Sequence, residues 1–144
     1  MKTSKIFAVA AVLLGLAMPT QIKSQEDIAE ITEKNCKAHF QRPFILTGRP
    51  FRALITDEEV AEFRATFLSG VTYRIATGNA GNNYVQFALY DGDHNLVFTN
   101  TEYGNAPYWD FTLDGYMECI VEATLDKAIT SSGFVILMTG FKID

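Results

Sequence analysis

The sequence predicts an all-β fold: an antiparallel, jelly-roll-like β-sandwich of seven or eight strands, with a short N-terminal helix after a cleaved signal peptide. Two observations predict the sandwich. Apolar and polar residues alternate with a period of two in several short runs, which is typical of strands with one buried face. Clusters of Gly, Asn, Asp and Ser separate these runs, at the roughly ten-residue spacing of sandwich strands.

The first 24 residues have the features of an export signal in the expected order. Two lysines precede an apolar run over residues 7–19, and a polar stretch follows it. The run is too short to remain in a bilayer as a permanent anchor. We therefore expect a signal peptide over residues 1–24, cleaved after Ser24 or at the competing site Ala17. The mature chain is then secreted or periplasmic, without a stable membrane anchor.

Residues 25–50 are predicted to form a helix and an arm. Within residues 26–34, Ile28 and Ile31 lie three apart, acidic residues come early and a lysine comes last. This order suits the helix dipole and indicates a short helix, with a mobile arm as the alternative. A turn is expected at residues 47–50, where the sequence reads Thr-Gly-Arg-Pro.

Residues 51–144 are predicted to form the sandwich itself. The clearest alternation lies in residues 61–67 and 117–125, where every second residue is apolar. Shorter alternating runs lie between them. The last run, residues 133–142, is apolar on both alternating faces. We expect it to be a central strand, or one that packing partners cover on both sides.

Composition and charge exclude several classes of function. The chain of 144 residues has 17 acidic and 12 basic residues, which gives a net charge of −5. Loss of residues 1–24 removes three lysines and no acid, which leaves −8. Such a charge repels nucleic acid. The sequence also has no Gly-x-Ser-x-Gly elbow, His-Glu-x-x-His helix or phosphate-binding loop, so we expect no catalytic residues and place a hydrolytic enzyme last among the alternatives.

One family resemblance rests on residues 67–98. A strand ends at Phe67, the turn Leu68–Gly70 follows, a second strand covers Val71–Ala76, and after a Gly- and Asn-rich loop a third strand ends in Leu-Tyr-Asp. This segment resembles the pre-peptidase C-terminal domain type, and Ser132–Leu137 is similar to the final strand of that family. The chain also looks like small exported β-sandwich proteins of Gram-negative bacteria. The resemblance implies a non-enzymatic accessory module of the secreted type.

Cys36 and Cys119 are the only cysteines of the sequence. In an oxidising compartment such a pair is a candidate disulfide. A bridge across a loop of this length stabilises a fold by roughly 4 kcal/mol in the chain-entropy treatment. The alternative is two independent cysteines, with Cys119 a small buried apolar residue.

Asp91, Asp93 and Asn95 follow one another at a spacing of two. Oxygen ligands at this spacing open a calcium-binding loop, so these residues are a candidate calcium site. The sixth position of the loop is Leu96, where an EF-hand requires glycine. The alternative, which this departure favours, is a polar hairpin turn. We expect no other cofactor.

Tyr103, Tyr108 and Trp109 lie close together in the sequence among Asn, Asp and Glu residues. Aromatic faces beside amide and carboxylate groups are typical of sugar-binding surfaces, so these residues are candidate ligand-binding residues. Alternation also puts Trp109 on the same face as Phe111. Trp109 is therefore predicted to be a core residue, which leaves the two tyrosines exposed.

Taken together, these patterns predict a secreted or periplasmic, non-enzymatic binding module. It recognises a protein or a carbohydrate through loops at one end of the sandwich, where a rigid scaffold holds variable loops. The alternative is a structural, envelope-associated protein whose edge strand pairs with a partner.

Overall fold

The protein was analysed as a computed structural model that describes residues 24–144. These residues form one α-helix, eight strands and a short 3₁₀-helix, and the strands make two antiparallel sheets of four. The predicted all-β sandwich with a short N-terminal helix is therefore confirmed. The predicted signal peptide lies outside the described residues, apart from Ser24.

The elements follow one another along the chain with short connections. Their bounds are α1 Gln25–Lys37, β1 Phe44–Thr56, β2 Ala61–Phe67, β3 Thr72–Gly78, β4 Val85–Tyr90, β5 Leu96–Thr99, the 3₁₀-helix Asn100–Tyr103, β6 Tyr108–Thr112, β7 Met117–Leu125 and β8 Ser132–Lys142. Within residues 24–144, no helix has the length and apolar character needed to cross a membrane.

The strand order is that of a jelly roll. One sheet has the order β1-β8-β3-β6 and the other β2-β7-β4-β5. Successive strands alternate between the two sheets, except that β4 and β5 pair as a hairpin within one sheet. We call the first sheet the helix-covered sheet, because α1 packs on its outer face, and the second the open sheet.

The core lies between the two sheets and follows the predicted alternation. β2 and β7 begin and end at the residues that the sequence predicts. Every second residue of β7, from Cys119 to Leu125, is buried in the core, and Phe87 and Leu89 of β4 face the same interior.

The helix α1 begins at a capping box. The Ser24 hydroxyl accepts a hydrogen bond from the backbone N–H of Asp27, and the Asp27 carboxylate accepts one from the Ser24 N–H. These bonds satisfy two of the donors that a helix start leaves unpaired. The helix extends to Lys37, three residues further than the pattern of the isoleucines predicts.

The helix explains why β8 is apolar on both faces. β8 lies between β1 and β3, one of its faces borders the core, and α1 packs against the other. Under α1, the fully buried Cys36 contacts a cluster that includes Ala76, Ile136 and Met138. The prediction that the last strand is central and covered on both sides is confirmed.

The turn predicted at residues 47–50 is an irregularity within a strand. β1 runs from Phe44 to Thr56, and its register against β8 shifts between Thr47 and Phe51. Gly48 has a φ of +70°, and Pro50 has no N–H to donate to a ladder. Both residues suit a β-bulge. The first strand therefore begins inside the segment that the sequence assigned to the arm.

The predicted disulfide between Cys36 and Cys119 is wrong. Both cysteines are free and buried. Cys36 lies beneath α1 on the outer face of the helix-covered sheet, whereas Cys119 lies in the core between the sheets. The helix-covered sheet therefore stands between the two thiols and prevents a bond.

Candidate functional site

The two sheets differ in what covers their outer faces. α1 packs over β8 and β3 of the helix-covered sheet. On the open sheet, the outward side chains of β2, β7 and β4 are all half-buried or exposed. The open sheet therefore presents a surface on which this chain, over residues 24–144, lays no helix.

Three connections meet at one end of the open sheet. They are residues 68–71, 91–95 and 113–116, and we call them together the loop end. The last pair of the β2–β7 ladder is Phe67 with Met117, so Leu68 and Tyr116 follow it on the two strands. Leu68 is 58% exposed and Tyr116 is 72% exposed. Two large apolar side chains thus lie at neighbouring chain positions at this end, and both are largely exposed.

The backbone that carries Leu68 is held on both sides. The Leu68 N–H donates to the Tyr73 hydroxyl at 3.0 Å, and the Gly70 N–H donates to the Leu113 carbonyl at 2.9 Å. Gly70 has a φ of +74°, which glycine adopts without a steric penalty. The second bond also ties residues 68–71 to the neighbouring turn.

An aromatic cluster supports this loop from below. The ring of Phe67 lies 4.9 Å from those of both Tyr73 and Phe111, in edge-on contacts. Tyr73 and Phe111 stack at 5.9 Å. Edge-on and offset contacts of this kind add rigidity to their packing. The backbone of residues 68–70 is therefore held in place by hydrogen bonds and by the packed rings beneath it.

A cavity of about 380 Å³ opens beside the loop end, on the outer face of the open sheet. Its lining comes from neighbouring strands and the 91–95 hairpin: Arg64, Ala65, Thr66, Gly92, Glu118, Cys119 and Ile120. Within the described residues, Arg64 makes no ion pair. The cavity thus combines an apolar wall with one positive and one negative side chain.

Acidic residues lie in the connections of the loop end and near it. Asp91 and Asp93 lie in the hairpin, Asp114 lies in the turn before Tyr116, and Glu118 lies two residues beyond it. An exposed apolar centre with a charged rim is the usual anatomy of a protein interface.

The candidate calcium residues form a closed turn. The Asp91 carboxylate accepts hydrogen bonds from the N–H groups of Asp93 and Asn95 at 3.0 and 2.8 Å, and from the Asn95 amide at 3.0 Å. These bonds, those from Asn95 first, lower the pKa of Asp91. Among residues 24–144, no three His, Cys, Asp or Glu side chains converge as a metal site would require. The geometry is that of the polar hairpin turn, and calcium binding stays a prediction.

The three candidate aromatic residues do not form one platform. Trp109 packs against the core, as the alternation predicts, with its ring 4.0 Å from Phe98 and 4.7 Å from Phe111. Tyr103 stacks on Phe98 at 5.6 Å. Tyr108 lies on the other face of β6, away from this stack. Carbohydrate binding at these residues stays a prediction.

Tyr108 instead belongs to a clamp around Arg74. The Arg74 guanidinium lies 4.0 Å from the centre of the Phe44 ring and 4.4 Å from that of Tyr108. It donates to both carboxylate oxygens of Asp110, at 2.6 and 2.8 Å, and to the His39 carbonyl at 2.6 Å. The Asp110 carboxylate raises the pKa of Arg74. This clamp fixes the chain where it leaves α1.

The cysteines do not have the properties of nucleophiles. Burial raises the pKa of the Cys36 thiol to about 12, and that of Cys119 to about 11. The Cys36 thiol donates to the Ala76 carbonyl at 3.3 Å. A thiol with such a pKa is almost entirely protonated near neutral pH and reacts slowly.

Leu68 and Tyr116 were not among the site residues that the sequence predicts. The signal that could have found them is their position: each is a large apolar residue just outside an alternating strand and beside a glycine-containing turn. Such a residue lies outside the strand, where the alternating pattern no longer predicts whether a side chain is buried.

The fold and the loop end together define a jelly-roll β-sandwich with one helix-covered sheet, one open sheet and an end with two exposed apolar side chains. No family model matches the chain, and no curated protein matches it. Among solved structures it is similar to Aeromonas hydrophila PliG, a periplasmic lysozyme inhibitor of g-type lysozyme. The sequence identity is 13%, the match covers 67% of this chain and 85% of that one, and the TM-score is 0.47.

Proposed function

We propose that this chain is an exported, non-enzymatic module that binds a partner protein through the loop end. The observation that carries this proposal is the pair of exposed side chains, Leu68 and Tyr116, at neighbouring chain positions of the loop end, with the Leu68 backbone held by the Tyr73 hydroxyl. The charged, leader-like N-terminal sequence supports export.

The energetics of such a pair suit protein binding. Complete burial of a leucine or an aromatic side chain contributes roughly 1.5–3 kcal/mol each. Tyrosine is also among the residues most enriched in interface hot spots. Because the hydrogen bond to Tyr73 already orders the loop, a complex loses little further conformational entropy when it forms.

The charges around the loop end favour a basic partner. Asp91, Asp93 and Asp114 lie in connections of the loop end and Glu118 lies near the start of β7, and the whole chain carries a net charge of −5. Complementary charge speeds the encounter and excludes acidic proteins. The loop end suits a carbohydrate less well. Sugar-binding sites stack sugar rings on flat aromatic faces, and of the two central residues, Leu68 and Tyr116, only the exposed Tyr116 is aromatic.

Affinity capture with matched variants tests this proposal. Leu68→Asp and Tyr116→Asp place a charge at the centre of the surface. Val60→Asp places the same charge on a residue that is 54% exposed in the β1–β2 connection, at the opposite end of the sandwich. The chain is exported with a tag, its partner is purified, and affinities are measured. A purified g-type lysozyme is included as one defined probe, since PliG inhibits that enzyme.

We expect the Leu68 and Tyr116 variants to bind the partner at least about 100-fold more weakly, the size of a hot-spot loss. We expect Val60→Asp to bind like the unchanged chain. Equal affinity in all three variants, or a loss confined to Val60→Asp, contradicts the proposal. Circular dichroism of each variant establishes that the fold is kept.

A further inference from the structure

The outer face of the helix-covered sheet is covered by a segment of this chain itself. An amphipathic helix lies across β8 and β3 and buries small and apolar side chains there. Its outward residues include Glu30 and Lys34, and its buried ones include Thr32 and Cys36. The open sheet has the same four-stranded width, and within residues 24–144 the α-helix packs on the other sheet.

Three apolar or aromatic side chains, Ala88, Tyr90 and Ile120, lie near one another on the open sheet's outer face, among charged residues. Ile120 of β7 is the register partner of both Arg64 and Tyr90. Ala88 lies next along β4, opposite Glu122. These side chains are half-buried, except for the exposed Arg64, and the His94 ring stacks on that of Tyr90 at 4.4 Å. We call this surface the open face.

Three of the other outward side chains of β2 and β7 are acidic, and two of them oppose each other. Glu62 and Glu122 are direct register partners across β2 and β7. Like charges placed opposite each other on one face of a sheet are destabilising. Glu118 adds a third carboxylate near the loop end. The free chain thus holds a repulsion that positive charge above the sheet would relieve.

We propose that the open face is a second docking surface, which takes a basic amphipathic helix from a partner protein. An apolar stripe lies on Ala88, Tyr90 and Ile120, and lysines or arginines pair with Glu118 and Glu122. This surface adjoins the loop end and shares Glu118 with it, but it does not include the exposed pair Leu68 and Tyr116.

The acidic charge of the open face argues against a second copy of this chain as its partner. A symmetric dimer would bring the open faces of both copies together, so that the carboxylates of Glu62, Glu118 and Glu122 from each copy would share one interface. Arg64 alone would oppose them. Like charges juxtaposed at an interface cost several kcal/mol, so the open face fits a basic partner and disfavours self-association.

Binding of designed peptides tests the proposal. The probe is a helical peptide with a leucine stripe flanked by lysines, and its control has the same stripe flanked by glutamates. Amide chemical shifts of the ¹⁵N-labelled chain locate the contact. We expect the lysine peptide to shift the amides of Ala88, Ile120 and Glu122, and the glutamate peptide to shift none of them.

Charge reversal provides the matched variants. Glu118→Lys with Glu122→Lys removes two carboxylates from the open face, and the lysine at position 122 gains Glu62 as an opposite charge, so we expect the fold to be kept. Glu30→Lys with Glu102→Lys makes the same change in net charge at exposed positions elsewhere. We expect at least a tenfold loss of lysine-peptide affinity in the first variant and less than a twofold change in the second.

Three results would overturn the proposal: no shift on the open face, equal binding of the two peptides, or equal loss in the two double variants. Dimers that form through the open face in sedimentation experiments would also overturn it. Leu68→Asp separates the two surfaces. If the peptide binds this variant unchanged, the open face acts independently of the loop end, and a loss of peptide binding in it contradicts the second surface.

Discussion

The outer faces of the two sheets are built from the same strand geometry but have opposite chemistry. On the helix-covered sheet, Ala76, Ile136 and Met138 are fully buried or nearly so under α1. On the open sheet, the equivalent outward positions of β7 hold Glu118, Ile120 and Glu122. The difference teaches that alternation predicts strands, whereas the nature of the outward residues predicts whether the chain itself covers them.

The largest effect should come from replacing Gly78, where α1 lies against the helix-covered sheet. A Cβ at this position would lie 2.0 Å from the Thr32 carbonyl oxygen and 2.8 Å from the Cys36 Cβ. Backbone cannot yield as a side chain can, so we expect Gly78→Ala to lower the free energy of unfolding by about 3 kcal/mol or to detach the helix. Denaturant unfolding measures the loss.

The open sheet provides the control for this substitution. A Cβ at Gly92 would have its nearest neighbour, the Glu118 carbonyl oxygen, at 4.0 Å, an ordinary contact. Gly92→Ala should therefore leave stability unchanged within about 0.5 kcal/mol. Equal losses of unfolding free energy in the two variants would contradict the described difference between the two outer faces.

The second effect concerns two arginines, one on each sheet. Arg74 contacts two rings, a carboxylate and a backbone carbonyl, so we expect Arg74→Met to lower the free energy of unfolding by about 2 kcal/mol. Arg64 on the open sheet is exposed and lacks an ion pair within the described residues, so Arg64→Met should change it by less than about 0.5 kcal/mol. Thermal unfolding of both variants makes the comparison, and a larger loss for Arg64→Met contradicts it.

A smaller effect is expected at the start of the helix cover. Ser24→Ala removes the hydroxyl that accepts from the Asp27 N–H, and the loss of such a cap costs about 1 kcal/mol. Conservative Ser24→Thr should restore most of this free energy. Signal-peptide cleavage after Ser24 would remove the Ser24 cap, whereas cleavage at Ala17 would retain it. The mass of the exported chain therefore shows whether the cap is present. A Ser24→Ala variant as stable as the unchanged chain contradicts the role of the cap.

The smallest effect is a pH dependence that comes from the helix-covered side. Partial burial, and then the Arg74 charge, lower the pKa of His39 below its ordinary value of 6.5. The unfolded chain therefore binds a proton more readily, and stability falls as the pH drops through 6.5. His39→Gln should flatten this part of the stability curve between pH 7 and pH 5. An unchanged curve in the variant would show that His39 does not contribute.

Much of the fold follows from the sequence, because alternation reports burial directly. The bounds of β2 and β7 and the central place of β8 were all predictable in this way. The free state of Cys36 and Cys119 was not predictable, since the number of cysteines says nothing about which face of a sheet each one occupies. The β1 bulge was read as a turn, because Gly48 and Pro50 suit both.

The candidate site was less predictable than the fold. Tyr73 alternates as a core residue, yet its hydroxyl also fixes the loop that carries Leu68, and no local pattern reports that bond. That Leu68 and Tyr116 lie at the same end of the sheet depends on the register of strands about 50 residues apart in the chain, where Phe67 pairs with Met117, and alternation does not determine this register.

Photo-crosslinking in the exporting cell tests most directly whether partners bind the uncovered side. Benzoylphenylalanine is introduced at Tyr116 on the loop end, and at Leu46, which is 41% exposed beside α1. We predict a discrete adduct with a basic protein from position 116 and none from position 46. An adduct from position 46 with none from position 116 would contradict the account.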